Sequence, residues 1–240
     1  MRIVVVGGLG MVGRTLVSVL QDQGHDVVVA DLATGVNTIT GEGVEEAMAG
    51  AQAVVDVTNL PDIDSFRTSA ATLLAAESKA GVRHHVLLSI VGVDGDHDLD
   101  YYRGKLAQED AVRNGDVPFT IVRSTQFFPF LQALVQGDPV RLPTTKVQPI
   151  AVADLVTLLA AIAVEPPADG IIEVAGPDIY ALDDFARRLL TLTADPRQVV
   201  TDDSVRPMMG ARMRERTLLP GPAAQLGHTD LPAWLTSVAS

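Results

Sequence analysis

At 240 residues the chain fits one large domain, or a core domain with a small appended lobe. A formal net charge of −12 argues against a nucleic-acid surface, which needs a basic face, and the absence of cysteine excludes disulfides and thiolate chemistry. No apolar run reaches the ~18 residues of a membrane span, and the N-terminus enters a strand pattern without cleavage-site logic, so a soluble, cytoplasmic protein is expected.

Apolar runs of strand length alternate with helical stretches from the first residues on. Ile3–Val6, Val27–Ala30, Ala53–Val57, Val86–Ile90 and Phe119–Val122 read as buried strands, being short and rich in Val and Ile. Between them Met11–Gln23, Asp64–Lys79 and Leu99–Arg113 carry apolar residues at helical spacing, with Gly24 and Asn114-Gly115 as stop signals. Such alternation predicts an α/β fold with a Rossmann-type, doubly wound parallel sheet. The interval "LATGVNTITGEGVEEAMAG" after Asp31 is too short for a helix, a strand and a second helix. It is expected to hold a short strand at Val36–Thr40 and a helix at Val44–Ala49, without the usual crossover helix between Asp31 and Val36. Beyond Gln126 a helix is predicted over Ala151–Ala163, a strand over Gly170–Gly176, and a helix over Leu182–Thr193 capped near Asp183. The tail from Pro196 is rich in Pro, Met and Arg, and "LPAWL" near its end is expected to pack onto the body. The whole is read as a single domain, 1–240, in which residues of about 126–150 and 175–240 contribute a small C-terminal substrate lobe over the carboxyl ends of the strands.

The segment "IVVVGGLGMVGRTL" places Gly7, Gly10 and Gly13 three apart, directly after a strand and directly before a helix. Gly7 suits the tight turn, Gly10 the close approach of a pyrophosphate to the backbone, and Gly13 the packing of helix on strand. The helix N-terminus, with Met11 and Val12, supplies free amides and a partial positive charge to the anion. Asp31, followed by Leu32, ends the second strand where a carboxylate accepts hydrogen bonds from the adenosine ribose, which favours NAD over NADP. The competing reading has Asp31 capping a loop and Arg14 meeting a phosphate.

"YYRGKLAQED" puts Tyr101 and Lys105 four apart, hence on one helical face. A nearby ammonium favours the phenolate and is expected to lower the Tyr101 pKa towards working pH. Ser89, at the end of "HHVLLSIVG", is placed to hydrogen-bond a substrate carbonyl from the other side. Taken singly, Tyr101 reads as a surface aromatic and Ser89 as a strand-end hydroxyl; their conjunction downstream of the glycine motif points to function.

These features, with "LLSIVGVDG", "YYRGKLAQE", "FTIVRSTQFF" and "VQPIAVADL", resemble the short-chain dehydrogenase/reductase superfamily, and within it the atypical branch of NmrA-like, NAD(P)-binding oxidoreductases. The resemblance spans nearly the whole chain and is weakest after Pro196. It implies Ser89, Tyr101 and Lys105 as a catalytic trio and Lys105 as a holder of the nicotinamide ribose. It also places Thr58 and Asn59 on the adenosine side, with Ser124, Thr125, Gln126 and Phe127 bordering the nicotinamide. The implied activity is hydride transfer between nicotinamide and a small carbonyl or quinone-like substrate, Tyr101 giving or taking the proton; the apolar stretches Phe127–Leu134 and Met208–Met213 suggest a hydrophobic one. The chain departs from the pattern in its short interval after Asp31 and in lacking an assignable Asn of the fuller tetrad. A non-catalytic NAD(P)-sensing regulator, and an epimerase, dehydratase or cyclase on the same fold, stay open as alternatives.

Other signals read as structural. Asp94, Asp96 and Asp98 alternate as in a calcium loop, but Leu99 and Lys105 stand where Gly and Glu are required. His84-His85 begins a strand and reads as a helix–strand junction rather than a metal pair; no metal is expected. Arg212 and Arg216 in "MGARMRER" share a face if helical, and read as a solvated or lobe-packing face. Phe127, Phe128 and Phe130 read mostly as core, with the alternative that some wall the substrate pocket. A small-molecule substrate is the expected partner, with neither nucleic acid nor membrane, and exposed helices on such a sheet allow a homodimer.

Overall fold

The computed structural model describes residues 1–95, 99–206 and 218–239. In chain order they run β1 (Arg2–Val6), α1 (Met11–Asp22), β2 (Asp26–Ala30), a 3-10 turn at Leu32–Thr34, α2 (Val44–Met48), β3 (Ala53–Asp56), α3 (Ile63–Ala80), β4 (His84–Ile90), α4 (Asp100–Arg113) and β5 (Phe119–Ser124). There follow α5 (Phe128–Ala133), β6 (Val140–Leu142), β7 (Lys146–Val147), α6 (Val152–Val164), β8 (Gly170–Ala175), β9 (Tyr180–Ala181), α7 (Leu182–Leu192), β10 (Val199–Thr201), β11 (Gln225–Leu226) and α8 (Leu231–Ala239). The chain divides into two compact units, one of Met1–Ser89, Asp100–Arg123 and Val156–Ile172, the other of Ile90–Leu99, Ser124–Leu155 and Glu173–Ser240.

Seven strands form a parallel sheet in the order β11-β8-β5-β4-β3-β1-β2. In register, Ile3 stands beside Val27 of β2 and Ala53 of β3, and Ala53 beside His84 of β4. The central strands read as continuous Val/Ile runs because both faces are covered; Ile3, Val4, Val5, Val54, Val55 and Val86 are wholly buried. Helix α1 buries Val12, Leu16 and Leu20, one residue in four, and leaves its other face to solvent. Helix α3 is N-capped by Asp62, whose carboxylate accepts the Ser65 N–H at 2.8 Å, and stops at Gly81 with φ +72°. The direction of winding reverses between β1 and β3. This sets the carboxyl ends of β1, β2 and β3 side by side, the place where open sheets bind ligands.

Two expectations are corrected. No strand forms over Val36–Thr40. The Asn37 side chain accepts the N–H groups of Ile39 and Thr40, its N–H donates to the Glu42 carbonyl, and Gly41 and Gly43 take φ +82° and +69°. These local bonds compete with a sheet ladder and win. β2 is thus the sheet edge, and the five-residue α2 is the crossover to β3. Asp183 does not cap α7, which starts from Ala181; its carboxylate instead takes the Arg187 guanidinium at 2.8 Å and the Thr201 hydroxyl at 2.6 Å.

The second unit has its own core, in which Phe128 stacks between Phe185 and Trp234 at 6.3 and 5.1 Å. "LPAWL" therefore packs as expected, through Trp234, while Phe130 is exposed. Asp154 holds the tail to this unit by accepting the N–H groups of His228 and Thr229, both at 2.8 Å. Met208–Met213 and the pair Arg212 and Arg216 lie outside the described residues, as do Asp96 and Asp98.

His84 and His85 start β4 as buried residues. The His84 ring lies 2.9 Å from the Thr120 hydroxyl, and His85 Nδ1 lies 2.9 Å from both Glu77 carboxylate oxygens. Burial, helped by His85, pushes the His84 imidazole from 6.5 down to about 4. Burial alone would lower His85 as well, but the Glu77 carboxylate reverses that and raises it. Below pH 6.5 the unfolded chain protonates His84 and the folded chain does not, so stability is lost as pH falls towards about 4. In urea unfolding, His84→Gln should lose less stability than wild type between these two pH values.

Candidate active site

The site is built outward from the turn after β1. Gly7 takes φ +76° and donates its N–H to the Ala30 carbonyl at 2.8 Å, which ties the turn to the end of β2. Gly10 N–H donates to the Gly7 carbonyl at 3.0 Å and Gly10 then becomes the N-cap of α1, with no side-chain cap. A Cβ on Gly13 would collide with the Gly7 carbonyl and the Gly8 Cα, so this glycine lets the helix sit on the loop. Contact with the strands falls to Gly8, where a Cβ would press on Val29 and the Val5 carbonyl. The three-glycine reading passed over Gly8, although the doubled glycine was its signal. A Cβ on Gly10 would meet only the Gly7 oxygen, at 3.2 Å. The loop is thus a cradle of backbone in which a Cβ on Gly10 would crowd the Gly7 carbonyl, and α1 adds N-terminal amides that no intrahelical carbonyl takes. It fits a diphosphate.

Asp31 serves the loop as well as its own turn. One carboxylate oxygen accepts the Leu9 N–H at 3.3 Å and the other the Ala33 N–H at 3.4 Å, while Asp31 N–H donates to Thr34 Oγ1 at 2.9 Å. Arg14 donates to the Leu9 carbonyl at 3.0 Å, so Asp31 and Arg14 hold the two sides of one peptide residue. Leu32, next along, is 72% exposed and Met11 57%, leaving apolar surface beside the cradle. Thr58 lies against the turn, since a Cβ on Gly7 would meet its backbone N at 3.3 Å. Thr58 N–H and Oγ1 both donate to Asp56 Oδ1, at 2.9 and 2.7 Å, and Asn59 is exposed.

The Tyr101–Lys105 helix packs on α3. Gly104 makes that possible, because a Cβ there would overlap the Phe66 ring. Tyr101 meets this ring edge-on with centroids 6.0 Å apart, and Lys105 Nζ lies 5.1 Å from the same ring's centroid. Lys105 is 4% exposed, and its Nζ donates to the Leu88 carbonyl at 2.8 Å, to Gln108 Oε1 at 2.8 Å and to the Thr58 carbonyl at 3.3 Å. Burial pushes its pKa down to about 8, against the pull of Asp56 and Glu109. Next to Leu88, the Ser89 hydroxyl is buried at the end of β4 with no hydrogen-bond partner among the described residues. The expected lowering of the Tyr101 phenol is corrected: burial raises it. The Lys105 ammonium is turned inward to three protein acceptors, and at this site desolvation outweighs charge.

Asp56, Gln108 and Phe66 were not expected. Asp56 had a signal, a carboxylate closing the apolar run "AVVD"; Gln108 and Phe66 look like ordinary helix residues in sequence. In the second unit, Thr125 N–H donates to the Val174 carbonyl at 3.1 Å and the Gln126 carbonyl accepts Ile150 N–H at 2.9 Å. Ser124 Oγ donates to the Thr125 carbonyl at 3.2 Å, and Phe127 is the N-cap of α5. The Thr125 hydroxyl and both ends of the Gln126 amide are buried without hydrogen-bond partners among the described residues. Among the described residues no cluster of His, Asp or Glu could hold a metal ion, and no helix is long and apolar enough to cross a membrane.

Residues 7–160 match the family model described as NAD(P)H-binding. No curated protein sequence matches the chain. The fold is similar to that of an Agrobacterium tumefaciens short-chain dehydrogenase/reductase superfamily protein with bound NAD, at a TM-score of 0.68 and 20% identity over 85% of each chain. It is similar also to an Escherichia coli NADPH-dependent quinone oxidoreductase complexed with NADPH, at 0.70 and 15% over 84% of this chain and 78% of that one. A Thermus thermophilus UDP-glucose 4-epimerase in complex with NAD aligns at 0.68 and 18%, covering 84% and 86%. The chain belongs to the NAD(P)H-binding family, on the Rossmann-type fold of the short-chain dehydrogenases/reductases.

Proposed function

We propose that the chain is an NAD(P)-dependent oxidoreductase that reduces a small, hydrophobic carbonyl or quinone-like compound, with NAD favoured over NADP. The observation that carries this reading is the unpartnered, buried Ser89 hydroxyl beside Leu88, whose carbonyl takes the Lys105 ammonium while Tyr101 shares the Phe66 ring with that lysine. A hydroxyl kept dry without a partner costs about 1–3 kcal/mol, and a substrate carbonyl oxygen would relieve that cost.

The cofactor supplies the hydride when bound. Gly7, Gly10 and Gly13, with the amides of Met11 and Val12, would hold its diphosphate. Asp31 and Leu32 would take the adenosine end, together with Thr58 and Asn59; Ser124, Thr125, Gln126 and Phe127 would border the nicotinamide. Ser89 Oγ donates to the substrate oxygen and orients it. Tyr101 then gives its phenolic proton to that oxygen. The Tyr101 phenol is the resting form at neutral pH, as its ordinary pKa already ensures and burial reinforces, so it stands ready as a proton donor. Lys105 supplies the positive charge against which a transient phenolate is less costly.

The similar folds include an epimerase as well as a quinone oxidoreductase, so net hydride transfer is the property to measure. Under turnover with a quinone or aldehyde panel, Tyr101→Phe should reduce the rate of nicotinamide oxidation by roughly two orders of magnitude or more while NADH affinity is kept. A variant that turns over as wild type removes Tyr101 from the chemistry. Met11→Glu adds a negative charge at an exposed position beside the cradle, and calorimetry should give NADH binding weakened roughly tenfold or more with an unchanged melting temperature. NADH should bind more tightly than NADPH, and Asp31→Asn should narrow the gap; tighter NADPH binding to wild type overturns the preference.

A further inference from the structure

The buried neighbourhood of Lys105 contains a carboxylate that the chemistry above does not use. Among the described residues Asp56, 1% exposed, makes hydrogen bonds only with neutral groups: Thr58 N–H, Thr58 Oγ1 and the Gln108 amide nitrogen, the last at 2.7 Å. Gln108 is wholly buried, and its amide oxygen accepts from Lys105 Nζ at 2.8 Å. The orientation of this amide is fixed by chemistry, because an ammonium can only donate and a carboxylate can only accept. Thr58 closes the ring, with its side chain on Asp56 and its carbonyl taking Lys105 Nζ at 3.3 Å.

We propose that Gln108 is a positioning residue: its amide transmits the buried Asp56 charge to Lys105 and fixes where the ammonium is held, without a direct ion pair. A carboxylate in contact would neutralise the lysine locally. With an amide between them the cation keeps its field for the site, while the dipole of the amide and the charge behind it offset its desolvation. The other charged groups around Lys105 are already matched. Glu109, on the same helix, is held by Arg123 from β5 at 2.8 and 2.9 Å and by Arg113 at 2.6 Å. His85 of β4 faces Glu77 of α3. Phe66 from α3 and Tyr101 from α4 present rings. Among the described residues that leaves Asp56 as the carboxylate with no cation in hydrogen-bond contact; its charge also helps to raise His85, and burial alone would leave Lys105 lower than about 8.

The inference rests on the reading of Lys105 as the cation of the active site, and its test is chosen to be independent of turnover. The chain has three lysines, Lys79, Lys105 and Lys146, so the Lys105 signal of the full-length protein with 13Cε-labelled lysine is assignable by comparison with Lys105→Met. Gln108→Leu should lower the Lys105 titration midpoint by roughly one pH unit. The exchange Asp56→Asn with Gln108→Glu can keep every hydrogen bond of the ring. The introduced amide would serve Thr58 through its oxygen and donate through its nitrogen to the introduced carboxylate, which accepts from Lys105. This exchange should raise the midpoint above wild type, because the carboxylate now touches the ammonium, and it keeps the test usable if Gln108→Leu fails to fold. NADH affinity at pH 7 should fall in both variants, because the ammonium loses its anchor in Gln108→Leu and is neutralised locally by the touching carboxylate in the exchange. A midpoint in the exchange at or below that of wild type overturns the proposal. Absence of any nicotinamide nucleotide binding would overturn the functional reading instead, and the Lys105 titration would still decide the role of Gln108.

Discussion

Lys105 Nζ sits where water hardly reaches, and each of its three protons has a protein acceptor, on β4, on the segment after β3, and on its own helix. An ammonium can be kept dry only if its donors are met and some negative charge lies near, and this demand organises the first unit. Gly104 must lack a side chain so that Phe66 can lie beneath the cation. Asp56 must stay buried behind Gln108, and Leu88 must turn its carbonyl inward, which leaves the neighbouring Ser89 at the strand end.

The same segment after β3 joins this network to the glycine turn. The Thr58 backbone lies against Gly7, its side chain is on Asp56 and its carbonyl on Lys105. The cradle and the cation are thereby held by one short stretch of chain, at the point where the sheet order reverses. Asp31 and Arg14 fix the other side of the loop through the two polar groups of Leu9. Of the two readings weighed for Asp31 from sequence, the structure contains the turn cap, with Arg14 on the Leu9 carbonyl and the carboxylate at the end of β2.

In the second unit the polar side chains of Thr125 and Gln126 follow β5 into a buried environment without partners, although their backbone groups are hydrogen-bonded. Buried amides without hydrogen bonds are uncommon in folded proteins. The Ser124 hydroxyl, by contrast, gives its one proton to the next carbonyl and keeps only its acceptor lone pairs.

The sequence by itself determined the alternation of strands and helices, the glycine turn, and the helical spacing of Tyr101 and Lys105, because each depends on local periodicity or on a backbone conformation that one residue type permits. It also exposed the short interval after Asp31, but not what fills it. "VNTIT" has strand composition, and only the side-chain bonds of Asn37 and the glycines beside it decide for a turn. What tertiary structure alone decided is the electrical setting of the site. Whether the lysine lowers the phenol or desolvation raises it depends on depth and on where the ammonium points. Those are set by Phe66, Asp56, Thr58, Leu88 and Gln108, drawn from four separate segments that no spacing rule connects.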